Sequence, residues 1–338
     1  MASLEDGSIA GDNAGTMTVR RLLRIAALAA CLAVAIVGVT SAAAARDVPQ
    51  AVQLGVLGNP ASFDAATHQH STVRLIIIGW DQDRGFSNYF SKLFATMSDV
   101  PMLGIGIPNG SSLTPLSIAH GAGDRFLVAL NQAVVQWGMP IYVRPLAEMN
   151  GHWNSYCAYN ANGSSKGSRY STSNFRKAFT RIYLILHGVP TADAKLQKMG
   201  LPPIRGQIMP APMLKIVWNP QGYGSPDLPG NSAASYYPGN GYVDVVGDDL
   251  YDIRGKAEWA AADAMYRRWR RKVFAFPEWG LWNIDDPAFI RAMYNFISGH
   301  RRTQVVNYFN GANGSIFDLR KKPRSLALYR KLISPLGQ

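Results

Sequence analysis

Beyond residue 45 this 338-residue chain contains only three glutamates, Glu148, Glu258 and Glu278. Two of them, Glu148 and Glu278, each follow a short apolar run that reads as a β-strand, residues 140–145 and 273–276. A pair of carboxyl groups suits glycosidic-bond chemistry: one protonates the leaving oxygen, and the other attacks or stabilises the oxocarbenium-like centre, at a separation of about 5–5.5 Å for retention. Two strand-end carboxyls can equally belong to structural ion pairs. Glu258 falls in a charged helical stretch and reads as surface.

The elements that would position the pair recur along the chain. Candidate strands span 51–57, 73–79, 102–107, 140–145, 214–218, 243–247, 273–276 and 304–308, mostly uninterrupted apolar runs of the kind covered by helices on their outer face. Helical spacing occupies 88–97, 124–137, 172–187, 256–271 and 287–300, with 325–332 after the last strand. The crossovers near 62–70 and 232–236 are short, and 160–173 and 190–212 read as loop insertions. No Gly-rich phosphate loop follows an early strand, which counts against an open doubly wound sheet. Eight units predict an α/β chain folded as a single (β/α)8 TIM barrel over residues 46–338. Such a barrel surrounds its active site with residues at the C-terminal ends of the strands, so Glu148 and Glu278 should meet in one cleft.

The residues around them sharpen this reading. Glu148 stands in Arg144-Pro145-Leu146-Ala147-Glu148-Met149-Asn150-Gly151-His152-Trp153, and Glu278 in Phe276-Pro277-Glu278-Trp279-Gly280. Between them Tyr236-Tyr237-Pro238-Gly239 leads into Asp248-Asp249-Leu250-Tyr251. Together these segments resemble glycoside hydrolase family 26, which contains β-mannanases and some xylanases and mixed-linkage glucanases. The resemblance runs from the third strand to the eighth. It implies that Glu148 is the acid/base, Glu278 the nucleophile and Tyr251 a hydrogen-bond donor to that nucleophile. The family usually has a histidine directly before the acid/base, and this chain has Ala147, a departure that bears on the substrate. His152 is a neighbour that could retune Glu148.

Arg144 reads two ways, as a donor to Glu278 or as a barrel-interior arginine paired to Asp244 or Asp248. Trp80, Trp153, Trp218, Trp279, Trp282 and Tyr308 lie at or beyond strand ends, where rings could stack on pyranose faces while polar neighbours such as Asp81, Asn150, Asn219 and Asn307 hold hydroxyls. Core packing would use any one of these rings as well. No ligand set announces a metal, and neither a metal nor a cofactor is expected.

Arg20, Arg21 and Arg24 precede an apolar stretch, 25–40, and the small residues 41–45, so residues 1–45 read as a signal peptide or an uncleaved signal anchor. The remainder is then secreted or held in the cell envelope. Of two cysteines, Cys31 lies in that segment and Cys157 stands alone, which rules out an internal disulfide framework in the mature chain. Hydrophobic residues make up 47% and charged residues 17%, a balance that builds a core. The net charge of +12 suits anionic envelopes or glycans, and no motif points to nucleic acid. The basic cluster at 267–272 complements the end of its helix.

The expectation is therefore an exported, monomeric, retaining and endo-acting glycoside hydrolase. It would cleave a β-linked polysaccharide of mannan, xylan or glucan type by double displacement. A non-catalytic polysaccharide-binding barrel and a transglycosylase of envelope polysaccharide stay open beside it.

Overall fold

Eight parallel strands, each beside its neighbour in sequence, close into one barrel in a computed structural model that describes residues 51–80 and 86–337. The expected export segment, 1–45, and Asp81 lie outside the described residues. The strands are β1 (Gln53–Leu57), β2 (Val73–Gly79), β3 (Val100–Gly106), β4 (Ile141–Pro145), β5 (Leu214–Trp218), β6 (Val245–Ile253), β7 (Val273–Trp282) and β8 (Thr303–Phe309). Closure is made by β1 against β8, from Gln53 opposite Val305 to Leu57 opposite Phe309.

Helices α1 (Pro60–Thr67) and α2 (Phe86–Ala95) follow the first two strands, and α3 (Pro115–Ala119) and α4 (Asp124–Trp137) follow β3. Next come α5 (Thr172–Leu186) and α6 (Ala192–Lys198) after β4, α7 (Trp259–Arg268) after β6, α8 (Pro287–Gly299) after β7 and α9 (Pro323–Leu332) after β8. The fifth crossover carries only single turns such as Ala233–Tyr236, as short as its sequence suggests. Local chemistry sets the helix starts. Asn59 and Asp286 accept backbone N–H bonds from Ser62 and Ala288, each just ahead of a proline in the first turn.

Two apolar layers hold the barrel. Outside, the strands bury one set of side chains against the helices, a cluster that includes Leu54, Val143, Ile216, Phe276 and Val306. Inside, Val73, Leu75, Met102, Val217, Val245, Ala275 and Val305 form a separate cluster, with Tyr142 packed on it. Strand side chains alternate with period two. The residue two places on from an inward apolar one therefore also points inward, one layer nearer the C-terminal end. Those next positions are Gly104, Arg144, Asn219, Gly247 and Asn307, with Ile77 and Pro277 beside them, so a layer carrying the polar side chains rests on an apolar plug. Gly247 is required there, because a Cβ would lie 2.6 Å from Asn219 Oδ1.

Two strands outrun their expected ends. β6 continues to Ile253 and β7 to Trp282, paired with Asp249 opposite Glu278 and Tyr251 opposite Gly280, after an irregularity between Gly247 and Asp249. Glu278 therefore lies within a strand and not in the loop beyond it. The expected helix 256–271 is correspondingly shorter: Ile253 and Lys256 exchange backbone hydrogen bonds across a tight turn, and α7 begins at Trp259.

Candidate active site

The chain leaves β4 through a strained turn. Leu146 and Glu148 both adopt left-handed conformations, each at φ 52°, which for non-glycine residues costs on the order of 1–3 kcal/mol apiece. The surrounding hydrogen bonds over-determine the turn. Leu146 N–H donates to Ile105 O at 2.8 Å and Glu148 N–H to Asn219 O at 2.6 Å. Tyr156 Oη donates to Ala147 O at 2.7 Å, and Asn154 Nδ2 to Glu148 O at 2.9 Å. The Glu148 carboxyl then receives two side-chain donors, Trp153 Nε1 on Oε2 at 2.6 Å and Gln221 Nε2 on Oε1 at 2.5 Å.

Glu278 faces the same space from β7. Its Oε1 pairs with Arg144 Nη1 at 2.5 Å, and its Oε2 accepts from Tyr251 Oη at 2.7 Å. Arg144 is buried and fully engaged, with Nη2 on Asp249 Oδ2 and Nε donating to Asn219 Oδ1 at 2.9 Å. Of the two readings of Arg144, its contact with Glu278 holds. The expected ion-pair partners do not, since the carboxylate it meets besides Glu278 is that of Asp249. Asp244 lies between helix and sheet, bonded to His187 at 2.7 Å, and Asp248 accepts from Gly222 N–H.

Burial and the nearby Glu278 charge raise the Glu148 pKa, against the opposing pull of Arg144, Trp153 and Gln221. Burial also raises Tyr251 well above its ordinary value, so its hydroxyl keeps its proton and donates. Asp249 is raised by burial and by the surrounding carboxyls, although Arg144 opposes the shift. Burial works against the Arg144 charge, but Asp249 and Glu278 outweigh it.

Glu148 and Glu278 border two cavities. The larger, of about 660 Å³, has an aromatic wall of Trp153, Tyr223, Tyr251, Trp282, Phe309 and Phe317. The smaller, of about 160 Å³, is bordered by Ile77, Gly104, Gly106 and Ala147. Trp153 and Trp282 expose 49% and 43% of their surface, enough to offer a face to a ligand.

Of the expected site residues, Glu148, Glu278, Arg144, Trp153, Tyr251 and Trp282 converge here. Trp218, Trp279 and Tyr308 do not, because all three are buried in the helix–sheet layer. Trp218 packs on Tyr237 and Trp269, and Trp279 and Tyr308 pack on each other and on Tyr329. Trp80 is buried as well, stacked on Phe126. Asn150 is also buried and serves the framework: Nδ2 donates to the carbonyls of Gln221 and Tyr223, and Oδ1 accepts from Gln221 N–H. His152 turns to Ser225 and makes no bond to Glu148. Sequence reasoning missed Gln221 and Tyr223, three and five residues past the end of β5, where a barrel places site residues. Glu258 is exposed, as its sequence context suggests; it stands at the N-terminal boundary of α7 without a side-chain capping bond and also borders the larger cavity.

No protein-family profile matches the chain, and no curated protein matches it. Solved structures do. A mannanase from Bacillus subtilis, BCman, is similar at a TM-score of 0.56 and 17% identity, over 84% of this chain and 86% of that one. The GH26 domain of an endo-β-mannanase/endo-β-glucanase from Prevotella bryantii gives 0.53 and 14%, over 84% and 89%. A β-mannanase from a symbiotic protist of the termite Reticulitermes speratus, solved with a gluco-manno-oligosaccharide, gives 0.51 and 15%, over 85% and 87%. The chain has the fold of these barrels along nearly its whole described length. At such identities the likeness is one of fold, and it agrees with the family that the sequence motifs resemble.

Proposed function

We propose that this protein is a retaining, endo-acting glycoside hydrolase of a β-linked polysaccharide, with β-mannan the first substrate to test. One observation carries the reading: two glutamates with opposite surroundings share an aromatic cleft. Glu278 is paired to a cation and a tyrosine hydroxyl, as suits a carboxylate nucleophile, and Glu148 is held towards its neutral form, as suits an acid.

In the first step Glu278 attacks the anomeric carbon while Glu148 gives its proton to the departing glycosidic oxygen, leaving a glycosyl ester on Glu278. Glu148, now a carboxylate, takes a proton from water. The resulting oxygen nucleophile attacks the same carbon and frees Glu278. Trp153 and Trp282 offer faces for neighbouring sugar units. The similar barrels named above, described as mannanases, support mannan over the other glycans. The signal-like character of residues 1–45 supports export.

The test is reducing-sugar release from β-mannans, β-xylans and β-glucans by the parent protein and by Glu278→Gln. Release from mannan by the parent alone, with the product's anomeric configuration unchanged by NMR, is expected. An inverted product would refute the double displacement. Folded parent protein that binds a glycan but releases nothing would replace the hydrolase with a non-catalytic barrel.

A further inference from the structure

The donor from Gln221 to Glu148 belongs to a buried chain of amides. Gln221 leaves β5 after Asn219 and Pro220 and is itself buried. Its backbone is clamped from both sides: Asn150 Oδ1 accepts its N–H at 2.8 Å, and Asn150 Nδ2 donates to its carbonyl at 2.9 Å. The next amide, Gly222 N–H, donates to Asp248 Oδ1 at 2.9 Å. Asn150 lies two residues beyond Glu148 on the same turn. The loop after β4 and the loop after β5 are thus locked together, and the lock ends in one amide aimed at one carboxyl oxygen.

We propose that Gln221 is a positioning residue of this site, which fixes the Glu148 carboxyl in the cleft and sets the balance between its neutral and ionised forms. The inference rests on the proposed acid/base role of Glu148. With Trp153 already donating to Oε2, the carboxyl cannot rotate without breaking one of two bonds. Both donors favour the ionised form, against burial and the Glu278 charge, which favour the neutral one. An acid that must release its proton in one step and recover it in the next needs these influences to oppose each other. Gln221 supplies an uncharged part of that opposition, distinct from the distant pull of Arg144.

The chain's scarcity of glutamate makes the test direct. The full sequence has four, Glu5, Glu148, Glu258 and Glu278, so glutamate labelled with carbon-13 at the side-chain carboxyl gives four resonances, assigned with Glu148→Gln and Glu278→Gln. Gln221→Leu should raise the Glu148 titration midpoint by about one to two pH units, the effect of losing one hydrogen bond to a charged group. Gln221→Glu keeps the side chain's length but sets a second carboxyl against Glu148, and should raise the midpoint further. In an active enzyme the alkaline limb of kcat/KM moves up with it. A Glu148 midpoint within a few tenths of a unit of the parent's, in either folded variant, overturns the proposal. The titration does not depend on turnover: a parent inactive on every glycan, with the midpoint shift present, sinks the hydrolase reading and leaves the Gln221 assignment standing.

Discussion

Replacing Tyr251 by phenylalanine removes one oxygen atom and almost nothing else. The ring is held by Trp282, Phe309 and Phe317, with centroids 5.8–5.9 Å away, and these contacts survive the change. What is lost is the 2.7 Å bond to Glu278 Oε2. A hydrogen bond to a charged group contributes about 1.5–3 kcal/mol, and about 1.36 kcal/mol corresponds to a factor of ten in rate. If Tyr251 steadies Glu278 for attack, that loss falls on the transition state, so kcat/KM should drop by about 10- to 100-fold with the ring packing unchanged. The assay is initial-rate hydrolysis of a soluble mannan oligosaccharide over the full pH range, with thermal unfolding as the check on folding. A kcat/KM equal to the parent's, in folded protein, would refute the claim that Tyr251 acts through Glu278.

Three further expectations test other parts of the structure. Asp248 is buried with its pKa raised to about 8, first by burial and then by the Glu148 charge. A carboxyl raised on folding supports the fold fully below its unfolded pKa near 3.9, and that support is lost as pH rises through about 8, at a slope of about 1.36 kcal/mol per unit. Asp248→Asn should therefore flatten the decline of Tm between pH 4 and 8, and an unchanged decline contradicts the raised pKa. Arg144→Met leaves Asp249 and Glu278 buried without their cation and should cost about 3–5 kcal/mol in chemical denaturation, beyond its effect on rate. Trp218→Ala should destabilise by about 3–5 kcal/mol, whereas Trp282→Ala should weaken glycan binding with little loss of stability; the reverse pattern would return Trp218 to the site.

Much of this arrangement was legible in the sequence because it follows from periodicity. Strand β2, strand β5 and helix α4 have the bounds that their apolar spacing predicts, and Glu148 and Glu278 reach one cleft because consecutive βα units leave them no other end of the barrel. The failures have a common origin. A tryptophan at the end of a strand alternates between cleft and helix layer with a period of two, so a single irregularity reverses its face. Trp279 immediately follows Glu278 on β7 and turns into the helix layer, and Trp218 precedes the inward-facing Asn219. Assigning all strand-end aromatics to the cleft ignored that alternation. Gln221 escaped notice for another reason: its importance lies in a contact with Glu148 from a different loop, which no spacing within its own segment records.

The polar layer also gives two glutamates of the same type different surroundings. Glu148, Asp249 and Glu278 crowd around a single cation, Arg144, and burial is the largest influence raising the first two. In a low-dielectric site one guanidinium compensates about one negative charge, so the remaining carboxyls are driven towards their neutral forms. Position gives each carboxyl a different set of donors. Glu278 has the Arg144 guanidinium on one oxygen and a tyrosine hydroxyl on the other. Asp249 shares the guanidinium but leaves Oδ1 with no partner, and Glu148 has only neutral donors. The site thus distinguishes Glu278 from Glu148 by the distribution of donors around one buried cation, and the roles proposed for the two carboxyls rest on that difference.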